Sequence, residues 1–195
     1  MLSEITDNKQ KIITTALNLF AKKGYDAVST LEIANAAGIT KPTMYYYFGS
    51  KEGLLSEILS IHYNRLLSDL ESAASLPEDI ALTFFRMMRI YFDYALKNKD
   101  FIMFKLSTFN RIGEDVTYLL SREYTDRESS IIKHVFDVAA SYVGNIRGKE
   151  DLCTMTFVGV AHAAIGAYFH TGDETLLSDE TIYRLRQQFL YGIYS

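Results

Sequence analysis

Residues 30–55 read TLEIANAAGITKPTMYYYFGSKEGLL and carry the strongest structural signal in this 195-residue chain. Ser29, followed three residues later by Glu32, is a capping box, which predicts that a short helix begins there. Gly38 ends that helix, Thr40 can cap the next, and Pro42 is tolerated in the first turn of that second helix. Two short helices joined by a glycine-containing turn predict a helix-turn-helix.

The second helix of this motif is expected to show an aromatic surface. We take Met44 as its inward direction. At about 100° per residue, Thr43, Tyr45 and Tyr46 then point to solvent. Hydroxyls and aromatic edges suit phosphates and thymine methyls in a DNA major groove, and Lys41 can reach a phosphate or a guanine edge. The same pattern also suits a helical subdomain with a tyrosine-rich protein interface.

The beginnings of the neighbouring helices add candidate phosphate contacts. Ser29 and Thr30 lie at one helix N-terminus, and Ser50 with Lys51 lie at another, where Ser50 is the expected cap. Free N–H groups and the helix dipole make such ends favourable for phosphate. Several hydroxyl and ammonium groups are therefore expected to face one DNA backbone.

Helical periodicity continues on both sides of the motif. A helix from about Asn8 to Lys23 precedes it, with apolar residues at helical spacing. No segment shows the period-two alternation of a strand. After the motif we expect six helices, at about residues 51–74, 77–97, 100–111, 114–143, 150–171 and 179–194.

These patterns predict an all-α chain with about nine helices in total. Residues 1–52 would form a three-helix DNA-binding domain, with the helix-turn-helix at about 29–48 and a linker helix from residue 51. Residues 53–195 would form a larger helical domain. The length suits one large domain or two small ones.

Composition narrows the function classes. A single cysteine excludes a disulfide framework and a cysteine-based zinc site within one chain. The net charge is −4, but residues 1–52 carry six lysines and five acidic side chains, a weak indication of a polyanion partner there. Ordinary surface variation explains this balance equally well. The N-terminus lacks the apolar core of a signal peptide, so we expect a cytoplasmic location.

Residues 30–55, together with ALNLFAKKGY at residues 16–25, resemble the signature of the TetR family of transcriptional regulators. The rest of the chain resembles that family only in length, helicity and aromatic content. Pro42 stands where many relatives have glycine, and Tyr47 where many have histidine. The resemblance implies that phosphate and base contacts fall on Ser29, Thr30, Thr40, Lys41, Pro42, Thr43, Tyr45, Tyr46, Tyr47 and Lys51.

The helical body contains an aromatic and methionine-rich region. The segment 80–95 is apolar nearly all round and should be central and buried. Each of its rings is most simply core, yet rings and methionines also line adaptable apolar pockets. The family resemblance implies an effector pocket for a mostly apolar or aromatic molecule. Its candidate lining residues are Phe84, Met88, Tyr91, Phe104, Phe109, Tyr118, Tyr142 and His162.

The last two helices have the pattern of a packing interface. Small residues recur every fourth position in one, and an apolar stripe follows the other. On sequence alone, packing within the chain and packing between two chains are equally supported. The resemblance implies a homodimer, which would place two recognition helices on a pseudo-palindrome. The candidate interface residues are Gly159, Ala163, Ala167, Ile182, Leu185, Phe189 and Ile193.

The sequence gives less support to enzymes, metal-binding proteins and membrane proteins. The four histidines show no metal-binding spacing, Cys153 has no local histidine partner, and the glycines at 144 and 148 lack a P-loop ending. We therefore expect no enzyme, no metal and no cofactor. Residues 152–172 carry no charge and are long enough to span a bilayer, but their threonines and histidines favour a helix buried in protein.

Together with these features, the family resemblance implies a ligand-responsive regulator, a repressor that binds operator DNA as a dimer and is released by a small effector. The alternative is a helical module that binds a small molecule or a protein without specific DNA binding.

Overall fold

The computed structural model of the chain describes residues 2–75, 79–109 and 111–191, with side chains from residue 7 onward. Within these ranges the chain is all-helical and contains no strand, which confirms the predicted fold class. The helices are α1 (Leu2–Lys23), α2 (Thr30–Ala37), α3 (Lys41–Phe48), α4 (Lys51–Ala74), α5 (Ile80–Lys97), α6 (Lys99–Thr108), α7 (Val116–Ala139), α8 (Glu150–Thr171) and α9 (Asp179–Tyr191).

Two details of the helix boundaries differ from expectation. Helix α1 begins at Leu2 rather than near Asn8, since no glycine or proline interrupts the segment ahead of Asn8. A 3₁₀ turn, Glu174–Leu177, also precedes α9. Its N-cap is Asp173, whose carboxylate accepts a hydrogen bond from the backbone N–H of Thr175 (3.0 Å), a local pattern that competes with regular helix.

The chain divides into two compact units. The first unit comprises Met1–Asn64 and Asn98–Glu123, and the second comprises Arg65–Lys97 and Tyr124–Ser195. Helices α4 and α7 each contribute residues to both units. The boundary predicted at residue 52 follows the linear chain, whereas these units join segments that are distant in sequence.

Helix α6 belongs to the same unit as the helix-turn-helix. It packs along α1, where the ring centroids of Phe20 and Phe104 lie 6.1 Å apart. The amide of Asn18 also donates a hydrogen bond to the carboxylate of Asp100 (2.8 Å). The first unit is therefore stabilised by a helix that lies about 80 residues further along the chain.

The second unit has an aromatic core. The ring of Phe157 on α8 packs edge-on against Phe84 of α5, with centroids 5.0 Å apart, and lies 6.4 Å from Phe136 of α7. The ring of Phe189 on α9 stacks 5.6 Å from Phe136. Rings from four helices thus interdigitate as a filled core.

Helix α5 is more amphipathic than its sequence suggests. Its inner face, which includes Phe84, Met88 and Tyr91, is fully buried. Leu82 and Leu96, however, are exposed, and so the expectation of a helix buried all round is wrong. A helix that packs against its neighbours on one side needs only one buried face.

Helix α8 has an unusual balance of apolar character and exposure. Within the described ranges it is the one helix long and apolar enough to cross a membrane, yet only 17% of its most apolar window is buried. Core helices of soluble proteins pass the same length and composition test. Within a single chain only Phe157, Ala161 and Ile165 of this helix are fully buried, contrary to the buried helix that the sequence favours.

Candidate nucleic-acid interface

Helix α2 begins and ends as the sequence predicts. The hydroxyl of Ser29 accepts a hydrogen bond from the backbone N–H of Glu32 (3.1 Å). The carboxylate of Glu32 pairs with the ammonium of Lys23 (2.6 Å), so the reciprocal half of the capping box is replaced by an ion pair. Gly38 closes the helix with a φ of +66°, a left-handed conformation that glycine adopts at low cost.

Helix α3 is anchored at its first turn and by one buried side chain. The hydroxyl of Thr40 accepts a hydrogen bond from the backbone N–H of Thr43 (3.3 Å), and the two threonine hydroxyls lie 2.8 Å apart. Pro42 occupies the first turn, where its missing N–H is not needed. Met44 is completely buried, which confirms it as the inward direction of the helix.

The outer face of α3 exposes aromatic rings. Tyr46 is 82% exposed and Tyr45 is 40% exposed. Lys41 is exposed as well, with its ammonium 5.6 Å from the centre of the Tyr45 ring. The Tyr47 ring packs edge-on against that of Tyr46 at 5.4 Å and is half-buried. Large exposed rings have no folding role, so this face is suited to a binding partner.

The junction between α3 and α4 allows no side chain at one position. A Cβ built on Gly53 would lie 2.1 Å from the carbonyl oxygen of Phe48. The N–H of Gly53 also donates to the hydroxyl of Ser50 (3.0 Å), which confirms Ser50 as the cap of α4. The close approach of the two backbones sets the position of α3 relative to the start of α4.

Lys51 is held mainly inside the unit. Its ammonium donates hydrogen bonds to the carbonyl oxygens of Tyr25 (2.9 Å) and Val28 (3.0 Å), and it lies 4.0 Å from the Tyr25 ring centre. An ammonium has three N–H groups, so one is left for a phosphate. The main effect of Lys51 is to hold the α1–α2 loop against the start of α4.

The neighbouring carboxylate strengthens this contact. The hydroxyl of Tyr25 donates to Glu52 (3.2 Å), and burial raises the pKa of that hydroxyl above its ordinary value. The backbone N–H of Glu52 at the start of α4 and the Ser50 hydroxyl hold the pKa of the Glu52 carboxylate below its usual range. Glu52 therefore stays ionised at neutral pH, at the N-terminus of a helix where negative charge is favourable.

The ten predicted DNA-contact residues are all accessible. Each lies in the first unit, at the start of α2, on or just before α3, or at the start of α4, and none is buried. Accessibility is necessary for contact but does not test it, so these contacts stay a prediction.

The eight predicted effector-lining residues are divided between the two units. Phe104, Phe109 and Tyr118 lie in the first unit and the other five in the second. Phe109 is 52% exposed and Tyr142 is 49% exposed, too open for the wall of an enclosed cavity. Phe84 and Tyr91 lie against Phe157, within the filled aromatic core.

The sequence analysis did not predict one buried acidic residue in the second unit. Glu128 on α7 is nearly inaccessible and accepts a hydrogen bond from the hydroxyl of Tyr91 (2.5 Å). The sequence does contain a signal, because Glu128 lies four residues before the buried Ile132 and so shares the apolar face of α7. A carboxyl group buried in such a position requires hydrogen-bond partners.

The predicted dimer residues occupy different environments. Gly159, Ala163 and Ala167 are exposed on α8, and a Cβ on Gly159 would meet no atom of the described residues within 4 Å. Ile182 is fully buried within its own chain, so a partner chain cannot reach it. Leu185 and Phe189 are half-buried and border a groove of about 360 Å³ between α8 and α9, while Ile193 lies outside the described residues.

No group of three histidine, cysteine or carboxylate side chains suited to a metal occurs among the residues that the structure describes. Cys153 is a free thiol, and burial raises its pKa. Its environment therefore disfavours the thiolate.

Comparison with known proteins relates the described motif to one family. Residues 12–58 match the family described as "Bacterial regulatory proteins, tetR family". The chain is 33% identical over 100 residues to the uncharacterized HTH-type transcriptional regulator YuxN of Bacillus subtilis. That segment is 51% of this chain and 34% of the relative, so the chain spans about a third of the length of this curated protein.

Solved structures extend the similarity to nearly the whole chain. A TetR-family regulator from Bordetella parapertussis superposes with a TM-score of 0.76 at 23% identity, covering 95% of both chains. AibR, solved in complex with isovaleryl coenzyme A and operator DNA, superposes with a TM-score of 0.74 at 19% identity, covering 95% of this chain and 98% of AibR. At these identities the superpositions establish the fold.

Proposed function

Because the chain belongs to the TetR family of bacterial regulatory proteins, we propose that it is a ligand-responsive transcriptional regulator. It acts as a repressor that binds a pseudo-palindromic operator as a dimer, in the cytoplasm, and carries out no catalysis. The observation that carries this proposal is the outer face of α3, where Lys41, Tyr45 and Tyr46 are exposed on a helix anchored by a single buried methionine.

Recognition combines phosphate and base contacts. The N-termini of α2 and α4 and the hydroxyls beside them bind phosphates and set the register of the protein on the duplex. Lys41, Thr43 and the tyrosines of α3 reach into the major groove. Pro42 permits close approach to the DNA but donates no hydrogen bond.

The exposed face of α8 supports a second copy of the chain as the partner. Gly159, Ala163 and Ala167 allow close helix approach, and Met155, 67% exposed, supplies apolar area beside them. Membrane insertion is the poorer account, because α8 also carries polar side chains such as Thr156 and packs on α5 within the second unit. A dimer places two recognition helices about 34–36 Å apart, one turn of DNA.

The effector is proposed to be small and mostly apolar or aromatic. The second unit supplies rings and methionines, including Phe84, Met88 and Tyr91, that can repack around such a molecule. AibR, which shares the fold, was solved with isovaleryl coenzyme A. We therefore place short acyl thioesters beside aromatic compounds among the effectors to be tested.

The coupling is proposed to run through α4. This helix starts beside α3 and continues as part of the second unit. Effector binding shifts α4, the two recognition helices of the dimer separate, and operator affinity falls. Linkage then requires that operator and effector weaken each other's binding by the same factor.

The test is fluorescence-anisotropy binding of the purified protein to DNA flanking its own gene, with shuffled DNA as the reference, across a salt series. Selective binding that Lys41→Ala weakens is the expected result, and the salt slope reports the number of phosphates neutralised. Genomic selection with effector-stripped protein extends the search to distant operators.

Failure of both searches would overturn the proposal and favour the alternative of a helical ligand-binding module that lacks specific DNA binding. Once an operator is known, an effector whose affinity is unchanged by saturating operator would refute the coupling through α4 but not the DNA binding itself.

A further inference from the structure

The lysines of the first unit differ in the groups that their ammonium ions contact. Lys9 pairs with Glu57 (2.7 Å) and Lys23 with Glu32 (2.6 Å), while Lys51 is held by two backbone carbonyls. A lysine neutralised by a carboxylate releases fewer counterions when it meets DNA.

Lys11 on α1 is exposed and makes no ion pair or hydrogen bond within the part of the chain that the structure describes. Its ammonium lies 3.5 Å from the position that a Cβ on Gly38 would take. Gly38 begins the turn between α2 and α3, and Thr40 and Lys41 follow it at the start of α3. The Lys11 charge is therefore beside the turn that leads into the recognition helix.

The local field favours this placement without cancelling the charge. Gly38 closes α2, so the Lys11 ammonium is near the carbonyl end of that helix, where the dipole stabilises a positive group. A dipole orients the ammonium but leaves its full charge for a phosphate. A long, flexible side chain with three N–H groups is well suited to a phosphate oxygen.

We propose that Lys11 is a phosphate-binding residue of the DNA interface, contacting the backbone phosphate that faces the α2–α3 turn, in addition to the residues of the helix-turn-helix itself. This rests on the proposed function, since it assigns a further contact to the same interface. Lys11 contributes affinity without sequence preference because phosphates carry no base information.

The experiment compares Lys11→Gln with Lys22→Gln in the full chain. Lys22 is a matched control: it lies on the same helix, is exposed, and makes no ion pair among the described residues, but it is about 16 Å further along α1. Binding of each variant is measured by anisotropy across a salt series, on a labelled duplex selected by the wild-type protein and on its shuffled counterpart.

Lys11→Gln is expected to reduce the slope of log Kd against log salt by about one for each chain bound. Affinity should fall by the same factor on the selected and the shuffled duplex. Lys11→Arg, which keeps the charge, should retain the wild-type slope, and Lys22→Gln should match wild type. Thermal unfolding of each variant separates loss of contact from loss of fold.

Equal slopes for Lys11→Gln and Lys22→Gln would overturn the proposal, as would a loss confined to the selected duplex, which indicates base readout. In both cases wild-type binding remains intact, so the proposed function stands. Absence of selective wild-type binding would instead contradict the proposed function itself. If Lys11→Gln unfolds, Lys11→Arg with a wild-type slope and Lys11→Met with a reduced slope provide the same test.

Discussion

Helices α3 and α5 are both rich in aromatic residues but place their rings in opposite environments. On α3, Tyr46 is almost fully exposed, and one buried methionine anchors the helix. On α5, Phe84 and Tyr91 are buried against Phe157. Aromatic content therefore does not by itself indicate core or binding surface, and the position of each ring relative to the buried face of its helix distinguishes the two.

The stability of the two regions should differ accordingly. In the second unit the rings exclude water and carry packing energy. In the first unit the exposed rings of α3 carry none, and the helix is held by caps, by Met44 and by the backbone contact at Gly53. The three substitutions below test this difference.

The largest effect is expected from Phe157→Ala, which removes a ring that contacts Phe84, Tyr91 and Phe136. Loss of a fully buried phenylalanine should lower the free energy of unfolding by about 3–5 kcal/mol. Urea unfolding followed by circular dichroism measures it. A loss below about 1 kcal/mol would show that the aromatic core is loosely packed and close to an open pocket.

An intermediate effect is expected from Gly53→Ala. The added Cβ would collide with the Phe48 carbonyl oxygen, which is backbone and cannot rotate away. We expect a loss of about 1–3 kcal/mol in the free energy of unfolding and weaker DNA binding, since the start of α4 must shift from α3.

Gly144→Ala is the control, because Gly144 lies outside both proposed interfaces and a Cβ there meets no atom of the described residues within 4 Å. Unchanged stability in Gly53→Ala would mean that the junction relaxes freely and does not set the position of α3.

The smallest effect on stability is expected from Tyr46→Ala, with a change within about 0.5 kcal/mol, because the ring is exposed. DNA binding should nevertheless fall about tenfold or more, since a hydrogen bond to a charged phosphate contributes roughly 1.5–3 kcal/mol. Anisotropy titration and urea unfolding of the same sample measure both quantities.

Tyr46→Phe separates the hydroxyl from the ring in this experiment. If its affinity equals that of Tyr46→Ala, the hydroxyl provides the contact, and if it equals wild type, the ring does. Full DNA affinity in both variants would remove Tyr46 from the interface.

Local sequence patterns were sufficient for the helices and for the surface of α3. The caps at Ser29, Thr40 and Ser50, the left-handed Gly38 and the buried Met44 all follow from spacing of a few residues. Such features depend on hydrogen bonds and periodicity within one or two helical turns, which the sequence contains in full.

Local sequence patterns did not predict the features that depend on residues distant in the chain. The packing of α6 on α1, the internal role of Lys51, the burial of Ile182 and the Tyr91–Glu128 pair each depend on which helix lies opposite a given face. Helical periodicity identifies a buried face but not the element that covers it.

The amino-acid sequence alone therefore established the all-helical class, the helix-turn-helix with its outward tyrosines, and most helix boundaries, because each is specified by neighbours along the chain. Only the tertiary structure showed which charges are already neutralised, which rings fill a core, and which apolar face of α8 remains uncovered. Each of those properties depends on two surfaces that meet, and the packing of the whole chain determines which surfaces meet.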